Sequence, residues 1–262
     1  MAGSYNDCSP EQSPTIWLCH EGGEATSRLP AWLTAYERET VAKFSGPRKR
    51  EYLASRWLIR QAIAGASGQS ASSCSPVDGR PVHSGTPAGW RLSLSHSHGL
   101  SACATSQHSP IGLDIEPCQR HPQWQKVTRR WFTTQEQQWL LRDDNPETFL
   151  KVWTLKEAWL KATERGIADN LQTLEVGPGF ELLGDRQEQG WQAWCCIAEG
   201  FLVTLVYRMP VQSRDLQPPK LVLLTAPPDD FSLVRPDNLA GSDVAVLHAP
   251  IHTKQERRNQ SR

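Results

Sequence analysis

The segment Glu147–Ala162 sets the tightest limit on how this chain can fold. Val152, Leu155, Trp159 and Leu160 fall on several faces of one helix, so a helix here must be covered on most sides. The same helix carries Trp153, Glu157 and Lys161 at i, i+4 and i+8, a single stripe along its axis. Charges on a covered helix need partners, because an unpaired buried ion is costly. The plainer reading is a surface pair between Glu157 and Lys161, contributing only about 0.3–0.5 kcal/mol.

Around that helix the chain reads as α+β. Helices are predicted over Ala31–Phe44 and Pro47–Ala64. In the second, Leu53, Trp57, Leu58 and Ala62 recur at helical spacing, Pro47 suits the first turn and Gly65 a stop. Strands are predicted over Thr15–His20, Arg91–Ser95, Leu100–Ser106 and Ile111–Glu116, the last three as hairpin-like antiparallel neighbours, with a turn at His96–Gly99. Thr133 to Glu136 forms a capping box that opens a helix through Leu141. The long helix ends before Gly166, and strands follow at Thr173–Val176, Trp191–Ile197 and Phe201–Tyr207. The helix-then-strands order occurs twice without a sequence repeat, which divides the chain into lobes at 1–108 and 109–209. Residues 1–14 read as a frayed tail. Residues 210–262 are Pro-rich with one apolar run, Leu221–Leu224, and read as a poorly packed extension.

Charge narrows the partners. The 28 basic and 28 acidic residues cancel, so no global field attracts nucleic acid or an anionic membrane, and any anion site must be a local cluster. Eleven tryptophans favour a folded chain with large buried anchors. The seven cysteines include no C-x-x-C pair, which points to reduced thiols in the cytoplasm. No apolar signal core or membrane span is read in the sequence, and the expectation is a soluble protein; the monomer is what the resemblance given below implies.

Four short segments carry the candidate chemistry. In Gly112-Leu113-Asp114-Ile115-Glu116, strand alternation puts both carboxylates on one face, where they repel unless a cation lies between them. A solvated edge strand with two surface acids is the alternative. Ser95-His96-Ser97 offers hydroxyls and an imidazole to an anion at a strand end. Arg48, Lys49 and Arg50 crowd a helix start, where a phosphate would be welcomed by amides and side chains alike. A solvated charge run is the alternative there. Gly79-Arg80-Pro81 reads as a turn.

The order S-H-S, G-x-D-x-E, F-[ST]-x-x-E, W-x-x-K-E-A-x-x-K resembles the 4′-phosphopantetheinyl transferase superfamily, in its larger monomeric, surfactin-synthetase-activating type. Here these are Ser95–Ser97, Gly112–Glu116, Phe132–Glu136 and Trp153–Lys161, with Gly46–Arg60 and Gly79–Pro81 also similar. The resemblance covers roughly residues 40–207. It implies two α+β lobes related by a pseudo-twofold axis, with the active site between them. It implies transfer of the phosphopantetheine arm of coenzyme A to a serine of an apo acyl or peptidyl carrier protein, releasing adenosine 3′,5′-bisphosphate. Such enzymes serve fatty acid, polyketide or peptide synthesis. Magnesium, with manganese as a substitute, would be held by Asp114, Glu116 and Glu157. Glu157 would also be the base, and Lys161 would face the pyrophosphate. Arg48, Lys49, Arg50, Arg80, Ser95 and His96 would hold the 3′-phosphate end. Glu136 comes last among the acids, because the same side chain serves the capping box. Two other readings stand beside this one: a non-catalytic coenzyme A or carrier-binding module, and an unrelated metal-dependent phosphohydrolase using Asp114 and Glu116.

Overall fold

The computed structural model describes residues 13–22, 28–80, 82–107, 109–119, 123–209, 218–233, 240–241 and 246–254. Residues 1–12 of the tail expected over 1–14, Pro81 and the run after residue 254 lie outside them. In chain order the elements are β1 (Thr15–His20), α1 (Ala35–Val41), α2 (Gly46–Ser67), β2 (Ser75–Pro76), β3 (Ser84–Thr86), β4 (Trp90–Ser97), β5 (Leu100–Gln107) and β6 (Ile111–Pro117). Then follow α3 (Trp124–Trp131), α4 (Thr134–Asp143), α5 (Pro146–Ala162), β7 (Leu174–Val176), β8 (Leu182–Gly184), β9 (Trp191–Ala198) and β10 (Phe201–Arg208). Last come β11 (Lys220–Leu224), β12 (Ala240–Gly241) and β13 (Val246–Thr253).

One plan is used twice. Each lobe opens with a strand (β1 or β6), continues through helices and ends in an antiparallel hairpin (β4–β5 or β9–β10). The second hairpin strand pairs antiparallel with the opening strand. The two large sheets run β12-β11-β1-β5-β4 and β6-β10-β9-β13-β8-β7, beside a two-stranded β2-β3 pair. Alternation along β1 sends Trp17 and Cys19 outward against α2, and Ile16 and Leu18 inward. The inward set meets Leu113, Ile115, Val203 and Leu205 of the second sheet, whose outer face is covered by α5 through Leu155 and Trp159. Two helix layers therefore enclose two sheets.

The duplication extends to an ion pair. Thr34 and Glu37 form a capping box at α1, as Thr133 and Glu136 do at α4. Both glutamates are buried, and each pairs at 2.7 Å with a cation of the next long helix, Glu37 with Arg60 and Glu136 with Lys156. The T-x-x-E spacing is legible at both places, but only the tertiary fold reveals the common partner.

Four expectations change. First, α2 runs past Gly65 and is capped by Gly68, in the left-handed region at φ 72°. Gly65 instead allows close packing, since a Cβ there would lie 2.2 Å from the ring of Trp17. Second, β6 leaves the β4–β5 hairpin and joins the other sheet beside β10. Its outer face is filled by α5 there, which gives Asp114 a buried setting. Third, α3 is an additional short helix. Fourth, much of the expected extension is packed. Strand β11 pairs parallel with β1, and β13 pairs with β8 and β9. Phe231 is fully buried; its carbonyl accepts from Trp32 Nε1 at 2.8 Å, and that of Ser232 from Trp57 Nε1 at 2.9 Å. The apolar run Leu221–Leu224 is long enough to cover the second edge of β1, an edge that would otherwise be exposed.

Candidate active site

Close approach of α5 to β6 builds the site. Gly112 permits it, because a Cβ at that position would stand 1.9 Å from the Ala158 carbonyl oxygen. The approach lowers Lys161 onto the strand. Its Nζ donates to Asp114 Oδ1 at 2.8 Å, to the Leu113 carbonyl at 2.9 Å and to Ser95 Oγ at 3.1 Å. Glu157 lies one turn earlier on the same helix face.

Asp114 is 6% exposed and Glu157 7%. Asp114 Oδ2 and Glu157 Oε1 are both buried with no hydrogen-bond partner among the described residues. Burial pushes the Glu157 carboxyl up to about 7, and the nearby Asp114 carboxylate pushes the same way against the opposing pull of Lys161. Burial also raises Asp114, against the pull of Lys161. Glu116 is half-buried and accepts from Ser97 Oγ at 3.0 Å. Among the described residues no three His, Cys, Asp or Glu side chains form a ready-made metal cage. Two orphaned carboxylate oxygens beside a third carboxylate are nevertheless the donor set a hard cation takes, and a cation would relieve both the desolvation and the mutual repulsion.

The basic cluster divides. Arg48 is exposed at the α2 start, pairs with Glu51 and lies over the Phe44 ring. His96 Nδ1 stands 3.4 Å from the same Glu51, so the α2 start and the β4 end meet. Partial burial and the Arg48 charge hold the His96 imidazole below its ordinary value. Lys49 is half-buried at the same turn. Arg50 instead turns inward. It is 4% exposed, donates to the Glu21 carbonyl at 2.7 Å and lies 4.6 Å over the Phe231 ring. Arg80 is exposed, and its side chain makes no ion pair or hydrogen bond among the described residues.

Glu136 is fully buried and already used. Its Oε1 faces Lys156 Nζ and accepts from Val176 N at 2.9 Å, and its Oε2 accepts from Thr133 N at 2.9 Å. Both oxygens are engaged by protein donors inside the core, so Glu136 does not join the candidate acids. Ser95 is likewise engaged with Asp114 and Lys161 and sits inside the acidic cluster. Sequence reading did not single out Glu51 or Ser93. Glu51 gave no signal beyond its place in a charge run. Ser93 shares the two-residue spacing of Ser95 and Ser97.

Comparison with known proteins bears on the family of the chain. The family model described as the 4′-phosphopantetheinyl transferase superfamily matches residues 110–205, and that of the 4′-phosphopantetheinyl transferase N-terminal domain matches residues 36–106. The chain is 30% identical to the 4′-phosphopantetheinyl transferase HetI of Nostoc over 56% of this chain and 66% of that protein. It is 28% identical to the putative 4′-phosphopantetheinyl transferase slr0495 of Synechocystis over 60% of this chain and 68% of that protein. It is 28% identical to the transferase psf-1 of Bacillus pumilus over 52% of this chain and 58% of that protein. The matched spans are thus about two thirds, or less, of these relatives' own lengths.

Proposed function

Because this chain belongs to the 4′-phosphopantetheinyl transferase superfamily, we propose that it transfers the phosphopantetheine arm of coenzyme A to a serine of an apo-carrier protein. The observation that carries this reading is the buried pair of unpartnered oxygens, Asp114 Oδ2 and Glu157 Oε1, next to Lys161. A pure binding module has no use for two desolvated carboxylates facing each other, whereas phosphoryl transfer is governed by positioning and charge neutralisation.

In this reading Asp114, Glu116 and Glu157 would hold a magnesium ion, which when bound neutralises charge on the pyrophosphate. The carrier serine oxygen forms a bond to the β-phosphorus while the bond to the bridging oxygen breaks, and adenosine 3′,5′-bisphosphate leaves. Glu157 takes the serine proton, directly or through water. Lys161 reaches the site from the covered helix and faces the negative charge that grows on the leaving phosphate. Arg48, Lys49 and His96 receive the 3′-phosphate, with Arg80 as a further cation at the same end. The test is mass spectrometry of an apo-carrier incubated with coenzyme A and magnesium. A gain of one phosphopantetheine group is expected, and an unmodified carrier with intact or hydrolysed coenzyme A would overturn the reading.

Cation binding should depend on pH with a definite sign. The Glu157 carboxyl is raised from 4.5 to about 7, so the folded state loses stability as pH rises from 4.5 through 7. A cation that binds the charged form restores it. The expected result is a larger manganese-induced rise in melting temperature at pH 8 than at pH 6, read by differential scanning fluorimetry. Equal shifts at both pH values would place the metal elsewhere.

The two arginines should separate by cofactor. A hydrogen bond to a charged group contributes about 1.5–3 kcal/mol. Arg48→Ala should therefore lower kcat/KM for coenzyme A by roughly 10- to 150-fold and leave 3′-dephospho-coenzyme A nearly unaffected. Arg50→Ala, which removes an inward-facing contact, should lower both by the same factor together with melting temperature. Equal losses for Arg48→Ala with both cofactors would show that Arg48 does not reach the 3′-phosphate.

A further inference from the structure

Strand β4 places Ser93, Ser95 and Ser97 at a spacing of two, so all three hydroxyls leave the same side of the strand. That side faces β6, which belongs to the other lobe. No backbone ladder joins β4 to β6, because each is the edge of its own sheet. The serines bridge the gap. Ser93 Oγ accepts from Leu113 N at 2.8 Å and Ser95 Oγ accepts from Ile115 N at 3.3 Å. Ser95 Oγ also donates to Asp114 Oδ1 at 3.0 Å, and Ser97 Oγ donates to Glu116 Oε2 at 3.0 Å. The partners advance along β6 as the serines advance along β4, so the two strands run side by side in the same direction.

Resting on the metal reading given above, we infer that Ser95 and Ser97 are positioning residues that aim the two carboxylates of β6, and that metal affinity therefore depends on the seam between lobes. A hydroxyl has one hydrogen and two lone pairs. In Ser95 all three are used: the hydrogen on Asp114 Oδ1, the lone pairs by Lys161 Nζ and Ile115 N. With Oδ1 held by Ser95 and Lys161, the Asp114 carboxylate has one orientation, and Oδ2 is the oxygen left without a partner. Ser97 spends its hydrogen on Glu116 and can accept from His98 Nδ1, 3.0 Å away. Such outer partners of ligating carboxylates set both orientation and basicity. The acids that would bind the cation come from the second lobe, and the groups that aim them come from the first. Neither lobe alone holds the site in shape.

Ser93 is the internal control. It belongs to the same seam, is buried like Ser95 whereas Ser97 is half-buried, and among the described residues its hydroxyl bonds only to a backbone amide. A purely structural seam would make the more buried Ser93 matter at least as much as Ser97, whereas a positioning role singles out those that touch carboxylates.

The experiment is isothermal titration of the full chain with manganese, for wild type, Ser93→Ala, Ser97→Ala and Ser97→Thr, with melting temperatures in parallel. Ser97→Ala should weaken manganese binding about 10-fold or more, Ser97→Thr should retain near wild-type affinity through its hydroxyl, and Ser93→Ala should lower melting temperature without changing manganese affinity. The KM for coenzyme A at saturating metal should stay unchanged in Ser97→Ala. Wild-type affinity in Ser97→Ala, or an equal loss in Ser93→Ala, would overturn the inference while leaving the metal site standing. A wild-type chain that takes up no manganese would overturn the metal site itself, and this inference with it.

Discussion

Glu157→Gln is expected to reduce carrier loading by about 10³-fold while making the apo-protein more stable at pH 8. Both halves come from one observation. The Glu157 carboxyl is buried beside Asp114, and its ionisation is pushed up to about 7. Ionising it at pH 8 therefore costs the folded state up to about 3 kcal/mol, at about 1.4 kcal/mol for each pH unit between 4.5 and 7. Glutamine fills the same space without the charge, so the cost disappears together with a metal ligand and the base. Asp114→Ala should lose activity to a similar degree, but without the stability gain, because it also strips Lys161 and Ser95 of their shared partner. Loading rates near wild type in either variant, with magnesium present, would remove these carboxylates from the mechanism. A Glu157→Gln melting temperature below that of wild type at pH 8 would show that the carboxyl is not strained by burial.

Truncation at residue 215 is expected to yield no soluble folded protein. The removed segment includes β11, which supplies the second neighbour of β1, and Phe231, which lies beneath Arg50 at the α2 start. Val222, Leu224 and Phe231 are each 5% exposed or less. Burying a side chain of this kind contributes about 1.5–3 kcal/mol, so the three together reach roughly half or more of a typical total stability of 5–15 kcal/mol. The lost cover would also open an edge of β1 to pairing with another chain. A soluble, cooperatively melting truncated protein would show that the first lobe closes without the tail. Phe231→Ala tests the same packing more gently, and should lower stability by about 3–5 kcal/mol.

The long helix and the strand alternation were legible because both depend on local periodicity. Val152, Leu155, Trp159 and Leu160 announce a covered helix wherever it sits, and Gly112–Glu116 announces two carboxylates on one face of a strand. The second capping box was legible for the same reason, since Thr133 and Glu136 are three residues apart. The order of the motifs was enough to point to the transferase superfamily, and the family matches over residues 36–106 and 110–205 agree.

What only the tertiary structure decided is where a side chain's partner lies when that partner is distant in the chain. The capping box already set Glu136 below Glu157 among the candidate acids, but only the fold shows that Glu136 is consumed by Lys156 and Val176 as well as Thr133, whereas among the described residues Glu157 retains an unpartnered oxygen. Arg48 and Arg50 lie in one basic run, but two residues, about half a helical turn, separate exposure to solvent from burial over Phe231. Composition marked the tail as loose, because prolines signal breaks and cannot reveal that Leu221–Leu224 will meet β1. The physical reason is common to these cases. Periodicity and capping depend on neighbours a few residues away, and the sequence alone determines them. Burial, orphaned oxygens and shifted ionisation depend on which surfaces come together across the lobes, and only the assembled chain determines those.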